Sequence, residues 1–169
     1  WGGPEVVVIN DIPEPALGAG QVRVAVAATG VNPVDWKIRD GHMKDFIQAP
    51  FPLTLGNEFA GTVTELGEGV SGFAVGDAVY GSVGPIGVFA DELAVDASAV
   101  AKAPTSLSLI ESAALPVAIV PAQAAFDAEP IGPGTRLLVH AAAGGVGSIV
   151  VQLAKAMFTP KLRLECFSL

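Results

Sequence analysis

The chain has 169 residues, enough for one domain or parts of two, and its 51% apolar content and mean hydropathy of +0.55 are high for a complete soluble domain. A net charge of −8 argues against nucleic acid and anionic membranes as partners, although local N–H groups can still bind a phosphate. The single cysteine, Cys166, excludes an internal disulfide framework and suits a reducing, cytoplasmic compartment. Trp1-Gly2-Gly3-Pro4 has neither the basic region nor the apolar core of a signal segment, and with no starting methionine the sequence reads as a fragment.

In chain order, the first hundred residues read as short strands. Val6 to Ile9, Val22 to Ala28, Phe59 to Leu66, Asp77 to Ser82 and Phe89 to Val95 are apolar or alternating runs. Gly18-Ala19-Gly20, Gly67-Glu68-Gly69, Gly76-Asp77 and Gly84-Pro85 punctuate them, while Asn32-Pro33 and Ala49-Pro50-Phe51-Pro52 mark loops or turn entries. This pattern indicates an irregular barrel or sandwich. Composition changes near residue 104. Ser108-Leu109-Ile110-Glu111 is a capping box, opening a helical segment from about Leu109 to Ala128 whose second portion starts at Pro116. Pro121 falls inside that segment, where a proline costs about 3 kcal/mol and kinks the helix. Gly132-Pro133-Gly134 then turns the chain into an α/β portion, so the expected domains are 1–104 and 105–169.

The most informative stretch follows. Leu137 to Ala141 suits a strand covered on both faces of a parallel sheet, and Ser148 to Met157 carries Ile149, Val150, Leu153 and Ala154 at helical spacing. Between them lies Ala142-Ala143-Gly144-Gly145-Val146-Gly147, with Ala142 where the first glycine of G-x-G-x-x-G would fall. Gly144 lets backbone approach a pyrophosphate, Gly147 lets the helix pack closely, and the free N–H groups at the helix start favour an anion. Ala142, Gly144, Gly145, Val146 and Gly147 are therefore the candidate cofactor-binding residues. Leu137 to Ala154 holds no Asp, Glu, Lys or Arg, but its three glycines, His140 and Gln152 fit a βα unit better than a membrane span. Leu162, Leu164 and Cys166 alternate and allow a second strand, with Arg163 and Glu165 falling about 20 residues after the glycines, where a ribose or 2′-phosphate partner can lie.

Four segments carry a resemblance. They are Gly30-Val31-Asn32-Pro33-Val34-Asp35-Trp36-Lys37-Ile38-Arg39-Asp40-Gly41, Gly56-Asn57-Glu58-Phe59-Ala60-Gly61-Thr62-Val63, Val75-Gly76-Asp77-Ala78-Val79-Tyr80-Gly81, and Ala142 to Gly147 leading into Gln152-Leu153-Ala154-Lys155. In this order they resemble the medium-chain dehydrogenase/reductase superfamily, in its zinc-free, quinone oxidoreductase-like (zeta-crystallin-like) branch. The resemblance implies a two-domain α+β and α/β fold, a GroES-like β-barrel followed by the truncated start of a Rossmann domain. It implies an NADP-dependent oxidoreductase that binds NADPH in the family's interdomain cleft and transfers hydride from it to a quinone, enone or related carbonyl compound. It also implies a homodimer at full length. The alternative is a non-catalytic GroES-like interaction module with a vestigial nucleotide site.

Catalytic zinc needs about three His, Cys or carboxylate ligands and an open position. Where zinc-using relatives place a cysteine and a histidine, this chain has Asn32-Pro33-Val34-Asp35 and Asn57, so no metal is expected. By resemblance Asn32 borders the nicotinamide, although its amide can equally cap the loop before Pro33. Lys37, at a place often held by tyrosine, is the one weak catalytic candidate as a donor to the substrate oxygen; a solvated surface lysine is its other reading. Glu58 is either a buried acceptor or a cleft residue, and Asp35 and Arg39 form a local ion pair. Asp77 reads as a turn residue, Tyr80 as packing, His42 as solvated, and His140 as packed or hydrogen-bonded at the strand end. Pro121 stands where the family has a threonine near the nicotinamide.

Overall fold

The computed structural model describes residues 1–47, 51–128, 131–132, 135–158 and 163–165, with Phe158 and residues 163–165 as backbone only. The chain divides into two compact units, Trp1–Pro116 and Val117–Leu169.

The first unit is built on a five-stranded antiparallel sheet. Its strands are β1 (Gln21–Thr29), β2 (Glu58–Leu66), β3 (Ala78–Ser82), β4 (Glu92–Asp96) and β5 (Val100–Lys102), in the order β4-β1-β2-β3-β5. Alternation along β1 suits its place between β4 and β2. Val22 and Val24 point inward and are fully buried, joining Phe59, Val63, Val79, Val88, Leu93 and Val95 in one core. Each such side chain contributes about 1.5–3 kcal/mol by leaving water. Arg23, on the opposite face, bonds Glu14 and Glu65 at 3.0 Å each and donates to the Pro15 carbonyl at 2.9 Å, which ties the irregular segment before β1 to the sheet. The register of β1 against β2 shifts between Arg23 and Val24 and between Val26 and Ala28.

Three expectations change in this unit. Val6 to Ile9 form no strand among the described residues: Pro4–Val6 is a single 3-10 turn, and Ile9 is 100% exposed. An apolar run becomes a strand only with a pairing partner. The run Phe89 to Val95 shortens to β4, because the backbone turns tightly at its start, where the Ala90 N–H bonds the Val88 carbonyl. Asn32-Pro33 is not only a turn entry but the start of a helix, α1 (Pro33–Arg39), with Pro33 at a first-turn position where its missing N–H costs nothing. A second short helix, α2 (Leu109–Ser112), opens on the Ser108–Glu111 capping box as expected, with the Glu111 N–H donating to Ser108 Oγ at 3.2 Å. Because α2 contacts β1, β2 and β3, the first compact unit extends past the compositional change near residue 104 to Pro116.

The second unit continues through α3 (Pro116–Ala128), which Pro121 does not end; that proline lies on an exposed face. Strand β6 (Arg136–Leu138), helix α4 (Gly145–Phe158) and strand β7 (Arg163–Glu165) then form a β-α-β segment with β6 and β7 parallel, Leu137 opposite Leu164. The strand expected over Leu137 to Ala141 is thus shorter, and Leu138 is exposed rather than covered. The helix begins earlier than expected, so Gly145, Val146 and Gly147 are its first turn. Leu162 and Cys166 of the expected second strand lie outside the described residues. No helix among the described residues is long and apolar enough to cross a membrane.

Candidate functional site

In the second unit, β6 ends in a turn and hands over to α4. Ala141 has φ +51°, a left-handed conformation rare for a residue with a side chain. The bend it makes lets the Gly144 N–H bond the Ala141 carbonyl at 2.9 Å. The first intrahelical bond, Ser148 N–H to the Gly144 carbonyl at 2.9 Å, follows. By helix geometry the N–H groups of Gly145, Val146 and Gly147 precede any intrahelical acceptor and sit at the positive end of the α4 dipole. Gly147 is held hard against the turn: a Cβ there would overlap the Ala141 carbonyl oxygen and lie 2.8 Å from Ala142 Cα. Over Gly145 the space is open, with nothing within 4 Å of a built Cβ. A cradle closed on one side by Gly147 and open on the other over Gly145 fits an anionic diphosphate. Ala142, Gly144, Gly145, Val146 and Gly147 lie side by side in this turn and the first helical turn, just after the left-handed Ala141.

In the first unit, a polar cluster lies where the β1–α1 connection meets the start of β2. Glu58 is 3% exposed and Asn57 8%. Asn32 Nδ2 donates to Glu58 Oε1 at 2.6 Å and to Asn57 Oδ1 at 3.4 Å. Gly30 makes room for this arrangement, since a Cβ on it would overlap the Glu58 carboxylate. Asn32 also heads the capping box of α1: its own N–H donates to Asp35 Oδ2 at 2.6 Å, and the Asp35 N–H donates to the Asn32 main-chain carbonyl at 3.0 Å. The cap at Asn32 is made by its main chain, while its side-chain amide is engaged by Glu58 and Asn57. Sequence reasoning named Glu58 without a partner, used Asn57 only as a place where zinc-using relatives have a histidine, and gave Gly30 no role; Asn32 and Glu58 are 26 positions apart, and nothing local links them.

The remaining candidates are dispersed. Lys37 is exposed on α1, with its ammonium 5.7 Å from the centroid of the neighbouring Trp36 ring. Asp35 does not pair with Arg39; the capping box claims its carboxylate, its Oδ1 is buried without a partner among the described residues, and Arg39 bonds Asp40 at 2.6 Å instead. His42 is exposed and meets Trp36 edge-on. His140 is exposed in the turn after β6 rather than packed, because the strand ends before it. Tyr80 is half-buried in β3 opposite Ala60 and Ala101. Asp77 is a turn residue as expected, accepting from the Ala74 N–H at 2.8 Å and pairing with Lys102 at 3.0 Å. The Lys102 bond, then the Ala74 bond, hold its carboxyl below the usual carboxylate range. The side chains of Arg163 and Glu165 lie outside the described portion. Among the described residues, no group of three His, Cys, Asp or Glu side chains is placed to hold a metal ion.

Comparison with known proteins adds the family. The pattern of the alcohol dehydrogenase GroES-like domain matches residues 18–105. The chain is 37% identical over 167 residues to 2-methylene-furan-3-one reductase of Solanum lycopersicum, a match over 94% of this chain and 43% of the reductase. The structure superposes on an alcohol dehydrogenase superfamily protein from Novosphingobium aromaticivorans with a TM-score of 0.89 and 34% identity, over 98% of this chain and 50% of that one. It superposes on Escherichia coli quinone oxidoreductase complexed with NADPH with a TM-score of 0.82 and 30% identity, over 98% of this chain and 49% of the other. The chain therefore spans about half the length of these relatives.

Proposed function

Since this chain belongs to the alcohol dehydrogenase GroES-like domain family of the medium-chain dehydrogenase/reductase superfamily, we propose that it forms part of an NADPH-dependent oxidoreductase acting on quinones, enones or related carbonyl compounds. The observation that carries this reading is the α4 cradle: amides of Gly145, Val146 and Gly147 at a helix N-terminus, beside open space and behind a glycine that admits no side chain. When bound, the reduced nicotinamide supplies a hydride. The residues of this chain do the rest. The first turn of α4 binds the diphosphate through N–H groups that need no charged partner. Asn32, fixed by Glu58 and Asn57, is the first-unit contact of the cofactor. Hydride addition places negative charge on the acceptor oxygen, and a donor there lowers the barrier; Lys37 is the candidate this chain offers.

Zinc independence is part of the proposal. Asn32 and Asn57 are amides, poor ligands for zinc, and both are engaged with Glu58 or each other. The single cysteine suits a reducing compartment such as the cytoplasm. The reading is tested by steady-state oxidation of NADPH by the full-length protein with several quinones and enones, with and without a chelator. Turnover unaffected by chelation is expected. Absence of both turnover and saturable NADPH binding would overturn the enzyme reading, and turnover abolished by chelation would overturn zinc independence.

A further inference from the structure

Strand β4 lies at one edge of the five-stranded sheet, with β1 as its strand neighbour. Its register against β1 is continuous, and two flanking bonds fix the phase of the ladder: Val26 N–H to the Asp91 carbonyl at 2.9 Å and Ala97 N–H to the Gly20 carbonyl at 3.0 Å. Stepping inward by two residues from either bond, Leu93 and Val95 turn their N–H and C=O groups toward β1. Those of Glu92, Ala94 and Asp96 turn the other way and meet no backbone partner among the described residues. Beside this edge runs a groove of about 590 Å3, lined by all of Glu92–Asp96. Pro13 and Pro15 on its wall carry no N–H with which to satisfy the edge.

Charge selects the occupant. The charged residues lining the groove are Glu92 and Asp96, with no Lys or Arg. They share one face of β4, on either side of Ala94. Asp96 accepts a bond from the uncharged Gln21 at 3.3 Å, and Glu92 lies 3.9 Å from Arg23, which Glu14 and Glu65 hold at 3.0 Å. A second copy of this chain, with its net charge of −8, is disfavoured by the same carboxylates.

We propose that the outer edge of β4 is a docking site for an extended, basic segment of a partner protein, which adds to the sheet antiparallel to β4 and places Lys or Arg side chains opposite Glu92 and Asp96. The backbone groups of Glu92, Ala94 and Asp96 supply the ladder, and the two carboxylates fix its register. The site lies wholly within the first unit and does not depend on the cofactor reading.

The test adds the N-acetylated, C-amidated peptide Thr-Lys-Val-Thr-Val-Lys-Thr to the full-length protein and follows its backbone amide resonances. The amides of Glu92, Ala94 and Asp96 are expected to shift saturably and to gain about tenfold protection from hydrogen exchange. The peptide with Glu in place of both Lys residues is expected to bind about tenfold more weakly, because two cross-strand charge pairs change sign. N-methylation of the central Thr removes the N–H opposite Ala94 and is expected to weaken binding about fivefold. Ala94→Pro, which an edge strand tolerates where the N–H points away from its neighbour, is expected to do the same; if that variant does not fold, the N-methylated peptide decides the point. Charge-dependent binding that N-methylation leaves unchanged is attraction to the surface without strand addition, and it overturns the proposal. So does failure of the basic peptide to bind, or protection of the three amides before peptide is added, which would mean that the rest of the full-length chain or a second copy already covers the edge.

Discussion

Substituting Gly147 by alanine adds one methyl group in the first turn of α4, and the consequence can be worked from distances. The new Cβ lies 2.8 Å from Ala142 Cα and overlaps the Ala141 carbonyl oxygen. Carbon atoms settle at about 3.5–4.0 Å, so Ala142 must retreat by about 0.7 Å. Both neighbours are backbone, and no side chain can swing aside. Overpacking of this kind costs about 1–3 kcal/mol of stability. The same retreat moves the first-turn amides away from a bound diphosphate. A hydrogen bond to a charged group is worth about 1.5–3 kcal/mol, so losing one raises the NADPH dissociation constant about 10- to 100-fold. Gly145→Ala in the same turn is the contrast for stability. Its Cβ meets nothing within 4 Å, and alanine in a helix is favoured over glycine by up to about 1 kcal/mol. Urea unfolding followed by circular dichroism, with nicotinamide fluorescence titrations on the same samples, separates the two effects. Destabilisation by Gly145→Ala equal to that by Gly147→Ala, or unaltered stability and NADPH affinity in Gly147→Ala, would refute the reasoning.

Three further outcomes follow from the geometry. Gly30→Ala drives a methyl group into the Glu58 carboxylate and should destabilise the protein by about 1–3 kcal/mol, much of which Glu58→Ala should restore in a double-mutant cycle; strictly additive effects in the urea midpoints would contradict the contact. Ala141→Gly should be neutral or stabilising by up to about 1 kcal/mol, whereas Ala141→Val should destabilise by about 1–2 kcal/mol, since a β-branched residue resists φ +51°; thermal melts with the opposite order would show that Ala141 is not left-handed. The Asp77 carboxyl is held low by Lys102 and by the Ala74 N–H, so its contribution is fully present above the unfolded-state titration near about pH 4 and is lost as pH falls through the lower folded value. Asp77→Asn should therefore flatten acid denaturation below about pH 4 and leave the shape above pH 6 alone; an unchanged acid limb would remove Asp77 from the account.

How much of this was legible in the sequence depended on whether a signal was local. Alternation placed β1, β2 and β3 to within a residue or so, because each presents one face to the shared core. It misjudged Val6 to Ile9, since an apolar run carries no information about whether a partner strand lies beside it. Pro33 hid α1, being equally at home in a turn and at a helix start. The cradle was legible as residue types, strand then glycines then helix. Its bend was not, because Ala141 has no feature that announces a left-handed conformation. The Asn32–Glu58 contact was not legible at all: it depends on β1 and β2 being antiparallel neighbours, which brings Gly30 and Glu58 together at one end of the sheet.

The most direct test of the central claim is to follow the backbone amide resonances of the protein while NADPH is added. Saturable shifts centred on Gly144, Gly145, Val146 and Gly147, reproduced in part by inorganic diphosphate, are the predicted result. Saturable binding that leaves these four amides unmoved would contradict the account.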